Sequence, residues 1–323
     1  MSSIRGLRYL AIIVGFCSAL LAGSAGLAFA QATPPQIIVF GDSISDPGNG
    51  FTGVKANATP PDYGGDPLLI PNAPYARGGH HLTNGETWIE QLGTLLGVQR
   101  SVLPAFASAN PFAMNFAIGT ARARQILPPE SAPPSLAFEV AAFLQKTGGQ
   151  APSDALYVIE IGGIDVRDAV ATGDPVQGLA ILQAAATAIH DNINLLYSLG
   201  ARHFLVWNVP NAGFTPAAHL AGPAAVAGAT LATTTFNQLL GAELAPLVAA
   251  GIVIPFDAND LVTKIVNAPQ DYGLTNVTDA CVTPNDPPFI CATPDEYLFW
   301  DGVHPTTAVH GIVAQAVLAL LTQ

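Results

Sequence analysis

A chain of 323 residues, half of them hydrophobic, has material for a sizeable core and for one large domain or two small ones. Its formal net charge is −12, and residues 1–30 hold two arginines and no acid, so a chain lacking them carries −14. Such a surface repels phosphate backbones and anionic lipid, which argues against nucleic acid and electrostatically held membranes as partners and favours neutral or apolar substrates.

Arg5 and Arg8 give the chain a basic start, residues 9–27 form an apolar run, and Ala28-Phe29-Ala30 supplies the small residues of a cleavage site. Residues 1–30 are therefore expected to be a secretory signal peptide, leaving 31–323 as a single domain that is secreted or periplasmic. A membrane anchor is the alternative, because the run approaches spanning length. Ser18, Gly23, Ser24 and Gly26 dilute its second half and no basic stop-transfer cluster follows, so no stable membrane anchor is expected. Bulky Phe16 precedes Cys17, which argues against a lipid at that cysteine.

Residues 36–40 form the first short β-branched run and read as a strand. Gly41-Asp42-Ser43-Ile44-Ser45-Asp46 follows; the glycine permits a sharp turn, and Ser43 then stands where an α/β sheet displays ligand-facing groups. A serine after a strand is by itself more often a turn former or helix cap. Residues 44–86 carry Pro60-Pro61, Gly64-Gly65, Pro67, Pro71, Pro74 and Gly78-Gly79, a long loop read as a flank of the substrate cleft. Residues 48–53 match the dinucleotide-binding glycine pattern, but proline-rich loop follows where a helix is required, so no nucleotide is expected. His80-His81 are adjacent and no His-Glu-x-x-His motif occurs, which makes them residues of a solvated loop; no metal and no cofactor are expected. Asn57-Ala58-Thr59 and Asn276-Val277-Thr278 fit the glycosylation acceptor pattern, which matters only in a host that glycosylates.

Further strand-like runs occupy 114–117, 155–161, 203–209 and 252–256, and apolar residues recur at helical spacing over 87–96, 135–145, 176–199, 229–249 and 307–321. Strands alternating with helices predict a doubly wound α/β fold whose parallel sheet is covered on both faces. His190 and His203 fall in a helix and a strand and read as structural; His219 and His310 have no recognisable partner. Once residues 1–30 are gone, Cys281 and Cys291 are the two cysteines left, and an even count in an exported chain predicts one disulfide. Two thiols with no His between them leave a metal shell unfilled.

Near the C-terminus, Phe299-Trp300-Asp301-Gly302-Val303-His304-Pro305-Thr306 places an Asp three residues before a His. In a tight turn that spacing lets the carboxylate meet one imidazole nitrogen and leaves the other to take a proton from a serine hydroxyl. Ser43, Asp301 and His304 are therefore the candidate hydrolytic triad, whose chain order is one of several that geometry allows. Tyr297, Phe299 and Trp300 beside it read as core packing rather than a substrate platform.

Residues 41–49, Thr83-Asn84-Gly85 ahead of Trp88, Asn115 to Ala121, Tyr157 to Asp165, Asn208-Val209-Pro210 through Thr215-Pro216, and Asp301 to Thr306 form a series of blocks along the chain. In content and order these blocks resemble those of the GDSL, or SGNH, esterases and lipases, especially their larger secreted members. The resemblance implies a three-layer α/β/α, flavodoxin-like fold with a central, mainly parallel five-stranded sheet. It also implies Ser43 as nucleophile, His304 as base and later acid, and Asp301 as its orienting partner. The oxyanion donors it implies are the backbone N–H of Ser43 and one from Gly119 or Thr120, where many members have two glycines. The family's third donor is an Asn that this chain replaces with Ile164, leaving fewer donors or a substitute such as Asn115 or Asn211. Asp165 matches the family's structural acid. The activity implied is hydrolysis of carboxylic esters of small-molecule, lipid or glycan type. The alternatives are a weakly active or inactive lipid- or glycan-binding relative, or an acyltransferase.

Overall fold

The computed structural model describes residues 34–50, 81–106, 109–126, 134–282 and 290–323. The leader 1–30, the Asn57 acceptor, His80 and most of the loop 44–86 lie outside the described residues. In chain order the elements are β1 (Ile37–Gly41), α1 (Trp88–Leu95), α2 (Leu136–Lys146), β2 (Leu156–Glu160), α3 (Gly163–Ala171), α4 (Pro175–Ser198) and β3 (His203–Trp207). They continue with α5 (Pro216–Leu220), α6 (Pro223–Ala249), β4 (Val253–Phe256), α7 (Ala258–Asn267), β5 (Asn276–Ala280), β6 (Tyr297–Phe299) and α8 (Thr307–Leu321).

The main sheet is parallel, in the order β1-β2-β3-β4. Alternation along each strand splits its side chains between two cores, as a sheet covered on both faces requires. Ile38, Phe40, Tyr157, Ile159, Phe204 and Val206 pack with Leu136, Val140, Phe143, Ile189 and Phe236 from α2, α4 and α6. Ile37, Val39, Val158, Leu205 and Trp207 pack on the opposite face with Trp88, Leu92, Val313 and Val317 from α1 and α8. The layers are therefore α/β/α, as expected.

Among the described residues the main sheet has four strands and not the expected five. Residues 114–117 do run beside β1, with Val39 donating to the Met114 carbonyl at 2.9 Å and Phe116 donating to that of Val39 at 2.8 Å, but they amount to a bridge at Asn115 rather than a strand. The reason is local: the Gly41 N–H, which would donate to the Phe116 carbonyl if the parallel ladder continued, donates instead to the Glu139 carboxyl at 2.8 Å.

A second sheet pairs β5 with β6 in parallel. Its strand β5 is polar and part-exposed, so no hydrophobic alternation announced it. The Cys281–Cys291 disulfide follows it directly, with the Cα atoms 4.9 Å apart. Cys281 and Val282 donate to the carbonyls of Phe299 and Trp300, which attaches the disulfide loop to the residues just ahead of Asp301. Trp300 and Phe299 are buried in local cores, in keeping with a packing role.

Candidate active site

β1 delivers Ser43 through a turn that needs glycine at its entry: a Cβ on Gly41 would lie 2.5 Å from the Glu160 carbonyl oxygen. Asp42 then donates its N–H to that same carbonyl at 3.1 Å, so the turn leaves the sheet between β1 and β2. At the other end of the chain, Asp301 Oδ1 accepts the backbone N–H groups of Val303 and His304 at 2.9 and 2.7 Å, which closes residues 301–304 into a tight turn. Trp300 N–H donates to the His304 carbonyl at 2.7 Å, and Ala217 at the start of α5 donates to that of Gly302 at 2.9 Å, fixing the turn from two sides.

These two turns, 261 residues apart in sequence, meet. His304 Nδ1 lies 2.7 Å from Asp301 Oδ2, and His304 Nε2 lies 2.9 Å from Ser43 Oγ. Asp301 and His304 are 0% and 2% exposed while Ser43 is half-buried, so water reaches the hydroxyl but hardly the pair behind it. With Nδ1–H donating to Asp301, Nε2 is the acceptor for the serine proton, and that arrangement can deprotonate the hydroxyl as it attacks an electrophile.

The surroundings of Ser43 are rich in buried carboxyls that hydrophobic patterning did not single out. Burial pushes Asp42 up to about 6, and raises Glu139 and Glu160 well above the usual carboxylate range. Ser45 Oγ donates to Glu160 at 2.7 Å and accepts from the Trp88 indole at 2.9 Å. Asp46 is 2% exposed and accepts four backbone N–H groups: Gly48 and Asn49 on one oxygen, Gly50 and Gly119 on the other.

That last contact bears on the oxyanion donors. Gly119 stands beside the nucleophile, since a Cβ built on it would be 3.9 Å from that of Ser43. Its N–H, however, is bonded to Asp46 Oδ2 at 2.7 Å and is not available to a substrate oxygen here. Thr120, next along, has φ +73, the one positive φ outside glycine among the described residues, a conformation that costs about 1–3 kcal/mol and concentrates at functional sites. Arg122 grips its carbonyl at 3.4 Å and is itself anchored to Asp168 on α3 at 2.5 Å. Strained backbone persists where its surroundings over-determine it, and Asp46 and Arg122 do so from the two ends of the Gly119–Thr120 pair.

Ile164 lies in the first turn of α3. Of its suggested substitutes, Asn115 is fully buried with its amide nitrogen donating to the Ser45 carbonyl at 2.9 Å, so that donor is already committed. Asn211 uses its side-chain oxygen to accept the Gly213 N–H at 2.9 Å. Asp165 ties α3 to the segment after Thr120, accepting Ala123 N–H at 2.7 Å and pairing with Arg124 at 2.5 Å.

Two histidines depart from their sequence reading. His81 is 4% exposed and pairs with Glu90 at 2.9 Å, where a solvated loop residue was expected; Glu90 in turn caps α1 through Thr87. His310 does have a partner, its Nδ1 accepting the Trp88 N–H at 3.1 Å, and burial pushes its pKa down to about 3, which keeps the ring neutral and able to accept. Among the described residues no group of His, Cys, Asp and Glu could hold a metal ion, and no helix is long and apolar enough to cross a membrane.

The profile of the family described as GDSL-like Lipase/Acylhydrolase matches residues 37–317. The chain is 27% identical to a GDSL esterase/lipase of Arabidopsis thaliana, covering 94% of both chains. It is 29% identical to an acetylesterase of Thermothelomyces thermophilus, over 87% of this chain and 86% of the relative. It is 24% identical to a phosphatidylcholine-sterol acyltransferase of Aeromonas hydrophila, over 87% of this chain and 88% of the relative.

Proposed function

The chain belongs to the GDSL-like lipase/acylhydrolase family, and from that premise we propose that it is an exported serine ester hydrolase working through an acyl-enzyme on Ser43. The observation that carries the reading is the continuous hydrogen-bonded series from Asp301 through His304 to Ser43 Oγ. His304 takes the hydroxyl proton as Ser43 attacks the acyl carbon, returns it to the departing alcohol, and then activates water to release the acid. Asp301 holds the ring and stabilises its positive charge. In this reading the oxyanion receives the N–H groups of Ser43 and Thr120, because that of Gly119 is held by Asp46. Residues 1–30 are the signal peptide of a single-domain protein, so the purified mature protein should begin after Ala30. An acyltransferase-named relative supports transfer to an alcohol as a second outcome of the same acyl-enzyme.

Hydrolysis of an ester series graded by acyl length, alongside fluorophosphonate labelling of Ser43, tests the reading. Turnover of at least one short or long acyl ester with label on Ser43 is the expected result. A folded protein that neither labels nor cleaves any member of the series would be a binding relative instead.

With Ile164 supplying no side-chain donor, turnover is expected to be low for the fold, and Ile164→Asn is expected to raise kcat about tenfold. An oxyanion donor elsewhere is worth roughly 10²–10³ in turnover, and incomplete support of the new amide forfeits part of that. Unchanged turnover in a normally folded variant would mean that another group, with Asn211 next to be substituted, already fills the position.

Reducing Cys281–Cys291 is expected to cost about 2–3 kcal/mol of stability on the loop-entropy account, for cysteines 10 residues apart. Because the bridge braces the residues before Asp301, activity should fall at lower denaturant than the global fold does. Two free thiols by mass spectrometry in protein exported by its own host would refute the bridge.

A further inference from the structure

The buried face of α2 reads Leu136, Glu139, Val140 and Phe143, and an acid has no packing reason to stand among them. Glu139 is fully buried there, and its two oxygens go to two different segments. Oε2 accepts the N–H of Gly41 at 2.8 Å, two residues before Ser43; Oε1 accepts that of Ile118 at 3.2 Å, one residue before Gly119. Ile118 also donates to the Gly41 carbonyl at 3.0 Å, so the two segments are joined twice on this side. On the other side Asp46 joins them again through Gly119.

We propose that Glu139 is a positioning residue, which sets the spacing between the Ser43 turn and the Gly119–Thr120 segment by accepting one N–H from each. The proposal rests on Ser43 being the nucleophile and on the 119–120 segment supplying an oxyanion donor. Misplacement of such groups by about 1 Å can cost 10²-fold in rate. A glutamine would be the easier group to bury, since burial and the nearby Asp42 and Asp46 all disfavour the charged form of Glu139. What glutamine lacks is the second acceptor oxygen: its NH₂ would face one of the two N–H groups.

The test uses the mature chain and a short-chain ester, with rates normalised to sites titrated by a fluorophosphonate. Glu139→Gln is expected to lower kcat per titrated site about tenfold, with KM within about threefold and a melting temperature unchanged or higher. Glu139→Asp keeps both carboxyl oxygens but shortens the reach, and is expected to lose kcat as well. A merely structural residue would instead reduce the fraction of titratable protein while leaving kcat per site intact, and that result overturns the proposal. Failure of both variants to yield titratable protein overturns it too, since Glu139 would then serve folding alone. Wild-type protein that neither titrates nor hydrolyses would refute the nucleophile assignment, a separate failure recognisable before any variant is compared.

Discussion

Ser43→Ala and His304→Ala are each expected to lower kcat/KM for ester hydrolysis by about 10⁴-fold or more, and the double variant to be scarcely worse than either. The non-additivity follows from the geometry. In the proposed mechanism the hydroxyl and imidazole, 2.9 Å apart, share one proton transfer, so once either is gone the other has nothing to act on. Residual rate would come from the backbone donors and from binding, which both variants keep. Ser43 is half-buried at the tip of a turn, and loss of its hydroxyl leaves the packing of β1 untouched, so the melting temperature should stay near that of the parent. His304 is 2% exposed, and its alanine variant should be somewhat less stable, which is why Ser43→Ala is the cleaner measurement. A folded Ser43→Ala protein with full activity would contradict the mechanism.

Asp301→Asn is expected to cost about 10³- to 10⁴-fold, for a reason the hydrogen bonds make specific. Asp301 accepts on both oxygens: Oδ1 from the N–H groups of Val303 and His304, Oδ2 from the ring. An asparagine has one acceptor oxygen and one NH₂. If the oxygen keeps the two backbone donors, the NH₂ faces His304 Nδ1, which must then be unprotonated. The ring proton moves to Nε2 and points at Ser43, where an acceptor is needed. If the amide flips to suit the ring, the part-buried N–H of Val303 and the buried N–H of His304 lose their partner, at about 1–3 kcal/mol for the buried one, and the turn opens. The first arrangement is the cheaper, so the variant should fold and be slow. Retention of more than a tenth of the parent kcat would mean that Asp301 does not set the tautomer of His304.

How much of this was legible in the chain depends on which property a residue pattern reports. Apolar periodicity reports burial, and it placed β1, β2, β3, β4 and the long helices, because the two-sided sheet leaves a signature of unbroken hydrophobic runs flanked by helical spacing. The motif around Ser43 and the Asp301–His304 pair were legible because a three-residue turn constrains geometry locally, and the cysteine pairing because two thiols allow one bridge. Neither β5, whose residues are polar and part-exposed, nor the reduction of 114–117 to a bridge was legible, since both depend on which backbone groups find partners. The same holds for the finest features of the site. Each N–H can serve one principal acceptor, and whether that of Gly119 faces a substrate or Asp46 is decided by residues 73 apart in sequence that only folding brings together. Glu139, which looks in the sequence like a lone polar residue on a helix, acquires its two partners from β1, 98 residues away, and from the segment before Gly119. The sequence alone determined the four strands of the main sheet, the long helices, their layering and the candidate trio; the second sheet and the allotment of buried hydrogen bonds around that trio were left to the tertiary structure, because a hydrogen bond is a matter of distances under about 3.5 Å between groups that the chain order keeps far apart.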